Sequence, residues 1–203
     1  MNDVIAILES VHQMSEELRT HLEKIIKRKT LSKGRHYLKA GQTNSELCFV
    51  KKGLLRCYKI KNGKEICTWF MKELDLFVSI ESFYDQVPGE EYIQALEDCD
   101  LYYISYAELY AAYETYPELN YIGRELVTQY FKLWNYHQNN LRMNSAMEKY
   151  QFLMEHFPEL IQRVEAQHLA SFLSLSPVTL SKVKNRMYKG NFLANANSLC
   201  KSG

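Results

Sequence analysis

Three side chains near the C-terminus, Thr179, Lys182 and Arg186, recur at steps of three and four residues. In a helix this spacing places them on one face. A hydroxyl and two cations suit phosphate oxygens and guanine edges, and the methyl-bearing Val178 beside them suits the methyl group of thymine. The mixture predicts a helix that enters the major groove of duplex DNA. The alternative interpretation is a helical hairpin with a solvated basic face.

Two short helical segments, residues 165–173 and 177–187, frame this face. Ser176 is a good N-cap for the second segment, and Pro177 suits its first helical position, where no amide donor is lost. The connecting turn carries Ser174 at a point where helix-turn-helix motifs often have glycine. Each segment has an apolar stripe that would face the other: Leu169, Phe172 and Leu173, and then Leu180, Val183 and Met187. The pattern predicts a helix-turn-helix.

Charge is distributed unevenly along the 203 residues, although the formal net charge is only +1. Residues 160–203 contain six basic residues and one acid, Glu165, which is a charge of +5, so the preceding residues carry −4. A basic segment on an acidic body indicates a polyanion-binding module attached to another domain.

The chain before this module divides into a short helix, a strand-rich region and a long helix. Ser15 can cap a helix whose end would hold the basic residues 27–29. Short strand-like runs fill residues 30–104, and Asn62-Gly63 is a strong hairpin signal between two of them. Many short strands with polar turns predict an antiparallel roll or barrel.

Residues 119–143 follow a heptad pattern that predicts a long helix with two apolar faces. We expect the heptad positions to form a homodimer interface: Leu119, Ile122, Leu126, Leu133, Tyr136 and Asn140. A second apolar stripe lies on another face: Val127, Tyr130, Phe131 and Trp134. Such a helix needs two partners, which we expect to be its own roll and a second copy of the chain. The alternative is a core helix of a monomer.

Taken in order, these motifs resemble the Crp/Fnr superfamily of bacterial transcription regulators. The resemblance rests on these residues: Gly41, 46–50, Gly53, Asn62-Gly63, 99–104, 158–164, 169–173 and 176–181. It implies an α+β fold with an N-terminal antiparallel β-roll of the cyclic-nucleotide-binding, jelly-roll type, a long dimerisation helix and a C-terminal winged helix-turn-helix. The implied domains are residues 1–116, 117–144 and 145–203. The stretch after Met187 lacks strand alternation, so it is either a degenerate wing or a disordered tail.

The resemblance also implies roles for individual residues and for partners. Phosphate-contacting positions match Gln167, Ser176 and Thr179, and a base-reading position matches Lys182. Pro177 and Val178 stand at base-reading positions that are charged in cyclic-AMP-responsive members, so the operator should differ from theirs. The predicted DNA-binding set is Gln167, Ser176, Pro177, Val178, Thr179, Lys182 and Arg186. Implied partners are duplex DNA with a near-palindromic site, a second copy of the chain and an unidentified small-molecule effector, with RNA polymerase as a further candidate.

The expected cyclic AMP contacts are missing from the roll. Members that bind this nucleotide carry a Gly-Glu pair for the ribose, where Val78 and Ser79 stand here, and an Arg-Ser pair for the phosphate. The corresponding segment, residues 88–93, has two acids and no arginine. Carboxylates would repel a cyclic phosphate, which needs a cationic fork. We therefore expect no cyclic AMP binding by these contacts.

Other classes of protein fit the sequence less well. A cupin-type enzyme needs clustered histidines, yet His36 is the only histidine in the strand region, so we expect no enzyme, metal or other cofactor. Five cysteines without a C-x-x-C pair suggest buried thiols in a reducing compartment. With no signal peptide and no apolar run of roughly 20 residues, we expect a cytoplasmic protein that does not enter membranes. The remaining alternative is a ligand-binding or protein-interaction module with weak or no DNA binding.

Overall fold

The computed structural model describes residues 2–187, which fall into two compact units, residues 1–132 and 133–203. The helices are α1 Asn2–Val11, α2 Glu16–Ile25, α3 Ile80–Asp85, α4 Tyr106–Thr115, α5 Pro117–Met143, α6 Ala146–His156, α7 Leu160–Arg163, α8 Ala166–Phe172 and α9, residues 177–187. The strands are β1 Lys27–Leu31, β2 His36–Leu38, β3 Glu46–Lys52, β4 Leu55–Lys61, β5 Lys64–Met71, β6 Leu76–Phe77, β7 Tyr92–Ala95 and β8 Cys99–Ser105.

Two four-stranded antiparallel sheets form the roll in the first unit, with strand orders β1-β8-β3-β6 and β2-β7-β4-β5. Successive side chains of β3 point to opposite faces of its sheet, which explains how the two sheets and the helices pack. Cys48 and Val50 face a core shared with Leu55 and Ile93 of the other sheet, whereas Phe49 faces the helices. The predicted α+β fold with an antiparallel roll and a long helix is therefore confirmed.

The hairpin between β4 and β5 follows from two residues. Asn62 and Gly63 both have positive φ, +53° and +73°, as a two-residue type I′ turn requires. Asparagine and glycine both tolerate the left-handed region of the backbone, so these two residues fix the turn locally. The predicted hairpin is therefore confirmed, and the turn sets the register of the two strands.

The N-terminal segment follows the sequence prediction only in part. Ser15 caps α2, and its hydroxyl accepts a hydrogen bond from the Leu18 amide at 3.2 Å, as predicted. The helix ends at Ile25, however, so the expectation that the basic residues 27–29 close it is wrong. These residues begin β1, where Arg28 pairs with Asp100 of β8 at 2.6 Å. Sheet pairing with β8 outweighs the local helix signal.

Helix α5 contributes one face to the core of the first unit. Leu119 and Ile122 are buried, and Leu126 packs against the same cluster, which includes Leu18 of α2 and Phe49 of β3. The sequence assigned these three α5 residues to a dimer interface, whereas the structure places them in the interior of their own unit. Three residues of the second apolar stripe are exposed: Val127, Phe131 and Trp134. Tyr130, the fourth, faces the roll, because its hydroxyl accepts a hydrogen bond from the Leu76 amide at 2.8 Å.

The second unit is a helical cluster formed by the C-terminal part of α5 and the helices α6 to α9. His137 of α5 is buried, and its ring stacks on Phe172 of α8 with 4.2 Å between ring centroids and an interplanar angle of 13°. The ring centroid of Phe152 in α6 lies 5.9 Å from that of the same histidine. Burial in this aromatic setting lowers the pKa of His137 to about 4, so the ring is neutral at physiological pH.

The three predicted domains, residues 1–116, 117–144 and 145–203, stay a prediction. The structure groups the chain into two units and divides α5 between them. Residues 188–203, the predicted wing or tail, lie outside the described residues. Within residues 2–187, no helix is both long enough and apolar enough to cross a lipid bilayer.

The buried histidine makes the stability of the second unit depend on pH. The unfolded chain binds a proton below about pH 6.5, whereas folded His137 does so only below about pH 4. Stability is therefore complete above pH 6.5 and decreases as the pH falls toward 4. Between pH 7 and pH 5 we expect a loss of about 2 kcal/mol from this group.

Urea denaturation of the full chain at both pH values measures this loss. His137→Phe keeps an aromatic ring at the site and should remove most of the difference between pH 7 and pH 5. His12→Gln, which removes an exposed histidine, is the control and should behave like the wild type. An unchanged pH dependence in His137→Phe would contradict the assignment.

Candidate nucleic-acid interface

The first helix of the predicted helix-turn-helix is held by its apolar side. Leu169, Ala170 and Phe172 of α8 are buried, and the small side chain of Ala170 permits close approach of a neighbouring backbone. Leu173, the residue that follows, is also fully buried. The inward stripe predicted for this segment therefore forms, and it anchors α8 in the helical cluster.

The turn uses a left-handed backbone at Ser174, with φ of +52°. The Ser174 amide donates to the Ser171 carbonyl at 3.0 Å, and the Leu175 amide donates to the Ala170 carbonyl at 2.8 Å. These bonds satisfy carbonyls at the end of α8, as a left-handed C-terminal cap does. The missing glycine thus does not prevent the turn, because the surrounding bonds hold serine in a conformation that costs roughly 1–2 kcal/mol.

Ser176 starts the second helix as predicted. Its hydroxyl accepts a hydrogen bond from the Thr179 amide at 3.0 Å and lies 2.8 Å from the Thr179 hydroxyl. Its carbonyl accepts from the Leu180 amide at 3.0 Å. The cap fixes the position at which α9 begins, and so fixes which side chains of α9 face outward.

Helix α9 separates an apolar side from a basic side. Leu180 is fully buried and Val183 is 8% exposed, so they hold the helix against the cluster. The predicted contact residues lie on the other side: Pro177, Val178, Lys182 and Arg186 are exposed and Thr179 is half-buried. Val178, at 64% exposure, gains nothing from the core, which leaves its methyl groups available to a ligand.

Gln167 is the predicted contact that lies outside the turn and α9. It is exposed on the first turn of α8, and its amide donates to the carboxylate of Glu165 at 2.8 Å. Glu165 is the one acid of the basic segment. The structure therefore brings a carboxylate beside a residue that was assigned to a phosphate, a neighbour that spacing alone did not reveal.

The roll contains a second polar cluster, around residues that stand where nucleotide contacts were expected. Ser79 is buried; its amide donates to Asn44 Oδ1 at 2.7 Å and its hydroxyl donates to Glu91 Oε2 at 2.6 Å. The backbone amide of Asn44 in turn donates a hydrogen bond to Ser82 Oγ at 2.8 Å. These three donors, the amide and hydroxyl of Ser79 and the backbone amide of Asn44, are therefore engaged by side chains of the same chain.

The four cysteines in the described part of the chain lie in its interior. Cys48, Cys57, Cys67 and Cys99 are buried thiols. Burial raises the pKa of Cys48 and Cys67 to about 12 and that of Cys99 to about 11, so these thiols stay protonated. Among residues 2–187 no group of three or more potential metal-ligating side chains occurs. Cys200 lies outside these residues.

Comparison with known proteins extends this picture. Residues 28–116 match the family described as the cyclic nucleotide-binding domain. No protein of curated function matches the chain in sequence. FixK2 from Bradyrhizobium japonicum has a similar structure, with a TM-score of 0.72 and 15% identity over 82% of this chain and 86% of that chain.

Two further solved structures support the same architecture. A transcriptional regulator of the Crp/Fnr family from Eubacterium rectale gives a TM-score of 0.67 at 16% identity, over 87% of this chain and 85% of that chain. The catabolite activator protein of Thermus thermophilus gives 0.55 at 16% identity, over 91% and 88%. Residues 28–116 therefore match the cyclic nucleotide-binding domain family, and the chain shares the fold of Crp/Fnr-type transcription regulators.

Proposed function

We propose that this chain is a sequence-specific DNA-binding transcription regulator that acts as a homodimer and has no catalytic role. The observation that carries the proposal is the outer face of α9, where Val178, Lys182 and Arg186 are exposed above a buried apolar side. Among residues 2–187, the groups on this surface are not packed in the core. It matches the mixture of cationic and methyl-bearing groups that reads base edges in a major groove.

The electrostatics of the segment support binding to a polyanion. Residues 176–187 contain Lys182, Lys184 and Arg186 and no acid. Each cation that neutralises a phosphate releases a condensed counterion, so affinity for DNA should fall steeply as salt rises. The alternative function, a ligand-binding or protein-interaction module, requires no such association. Salt dependence therefore separates the two.

The second proposed feature is a dimer through the exposed apolar stripe of α5. Val127, Phe131 and Trp134 are 54%, 63% and 48% exposed, and their spacing of four and three residues aligns them along one side of the helix. This side lies away from Leu119 and Ile122, which are buried. A second copy of α5 would cover the stripe by heptad-like packing. This stripe has the spacing of a heptad but does not contain the residues that the sequence assigned to the interface. Of those, Leu133, Tyr136 and Asn140 stay a prediction.

A dimer accounts for the expected form of the DNA site. Two copies of α9 related by a two-fold axis would enter successive major grooves about 34 Å apart. Such an arrangement recognises a near-palindromic sequence. Pro177 and Val178 at the start of α9 replace charged base-reading groups, so we expect an operator unlike that of cyclic-AMP-responsive relatives.

The first prediction concerns Lys182. Lys182→Ala removes an exposed cation at a proposed base contact, and we expect specific DNA affinity to fall by about 1–3 kcal/mol with unchanged stability. The site is first selected from random duplex DNA, and fluorescence anisotropy then gives affinity at several salt concentrations. An equal loss on all sequences would show that Lys182 contacts only the backbone.

Lys184→Ala is the matched control for this measurement. It removes the same charge from the same helix, but two residues of α9 turn the side chain by about 160° around the axis. We expect its effect on specific binding to be the smaller of the two. If the wild type binds no DNA sequence even at low salt, the regulator function is wrong and the interaction-module alternative holds.

The second prediction concerns the dimer. Phe131→Asp places a charge in the centre of the proposed interface, and we expect a shift from dimer to monomer in analytical ultracentrifugation at micromolar concentration. Burying an unpaired carboxylate costs several kcal/mol, which is enough to dissociate a modest interface. Ile60→Asp, at an equally exposed apolar position on β4, is the control and should remain dimeric. A wild-type monomer would contradict this part of the proposal.

The third prediction concerns the roll. Because Glu91 engages the Ser79 hydroxyl and Asn44 engages the Ser79 amide, we expect no micromolar binding of cyclic AMP in isothermal titration calorimetry. The same sample titrated with selected DNA serves as the positive control for active protein. Micromolar cyclic AMP binding would show that the cluster rearranges to admit the nucleotide.

A further inference from the structure

The first unit contains an apolar cavity of about 70 Å³ on the outer side of the sheet β1-β8-β3-β6. Five parts of the chain line it: the sheet and the helices α1, α2, α4 and α5. Its lining includes Leu8, Leu22, Phe49, Leu76, Ile122 and Leu126. Ser79, Asn44 and Glu91 do not line it, so it is separate from the polar cluster in the roll.

A local feature of α5 keeps this space from being filled. Gly123 lines the cavity and has no side chain to project into it. A Cβ atom at this position would lie 2.7 Å from the hydroxyl oxygen of Tyr113, so a larger residue would require the Tyr113 ring to shift. Atoms that line a void lose dispersion contacts on one side, and a molecule of matching size restores them.

We propose that this cavity binds a small, uncharged, apolar molecule. A polar ligand would leave most of its hydrogen-bonding groups unpaired against these aliphatic and aromatic walls, at a cost of several kcal/mol. An engineered apolar cavity of about 150 Å³ stays dry and binds benzene or xenon. The present cavity has about half that volume, so its ligand is smaller than a benzene ring: a dissolved apolar gas or a hydrocarbon of a few carbon atoms.

The position of the cavity gives such a ligand a route to the rest of the protein. Leu119, Ile122 and Leu126 form the wall contributed by α5, and the exposed stripe at Val127 and Phe131 begins one residue further along the same helix. A bound molecule would therefore change the packing of the helix that carries the proposed dimer interface. This consequence rests on the proposed function, whereas binding to the cavity does not.

Xenon is the probe that tests the binding site. Methyl-labelled full-length protein is equilibrated with xenon at increasing pressure, and carbon–proton NMR spectra are recorded without DNA. We expect saturable shifts in methyl groups that line the cavity, such as those of Leu22, Leu76 and Ile122. Shifts scattered over surface methyls, or none at saturating pressure, would overturn the proposal.

Conservative variants make the test specific. Ile122→Val enlarges the cavity by one methylene and should increase the xenon-induced shifts. Val4 of α1 also lines the cavity, so Val4→Ile adds one methylene to the lining and should weaken binding roughly fourfold. Ile93→Val, which makes the same deletion in the core between the two sheets, is the matched control and should bind xenon like the wild type. Equal binding by Val4→Ile and the wild type would overturn the assignment of the site. DNA affinity is measured separately, so failure of either proposal is distinguishable.

Discussion

The architecture depends on the burial of one face of α5. Leu119 and Ile122 enter the core of the first unit, and each fully buried aliphatic side chain contributes about 1.5–3 kcal/mol. Further along the same helix, His137 stacks on Phe172 and so joins α5 to the helix-turn-helix. Because an α-helix has 3.6 residues per turn, burial of Leu119 and Ile122 places Val127 and Phe131 on a different side of α5, where they are exposed. The surface available for association is therefore a geometric consequence of the core.

The roll keeps the fold of a nucleotide-binding domain while its polar interior is satisfied by its own side chains. Ser79, Asn44 and Glu91 form a connected network, and a buried network of this kind is stable only when its members are paired. The Glu91 carboxylate supplies negative charge within the chain itself. The same unit leaves an apolar cavity beside α5, so a fully paired polar network and incomplete apolar packing occur in one domain.

Local chemistry explains which elements could be predicted. The Asn62-Gly63 hairpin and the Ser176 cap depend on side chains within a few residues, so the sequence specifies them directly. Residues 27–29, which begin the strand Lys27–Leu31, are predicted from the sequence as a helix end, because basic residues there are favoured by the helix dipole. Its pairing with β8 involves residues about seventy positions away, and no local pattern carries that information. Burial of His137 also arises from helices α6 and α8.

The sequence by itself determined the antiparallel roll, the long helix, the two helices of the turn motif and the exposed basic side of α9. These features are specified mostly by periodicity, helix caps and turn residues, which act between residues that are close in the sequence. Tertiary structure alone decided which face of α5 enters the core, that Glu91 engages Ser79, and that Gly123 lies beside a void. The physical reason is that a heptad pattern shows two apolar faces without ranking them. Which face is buried depends on how well each face fits the sheet and how much apolar area it buries there. The sheet surface exists only once distant segments have packed together.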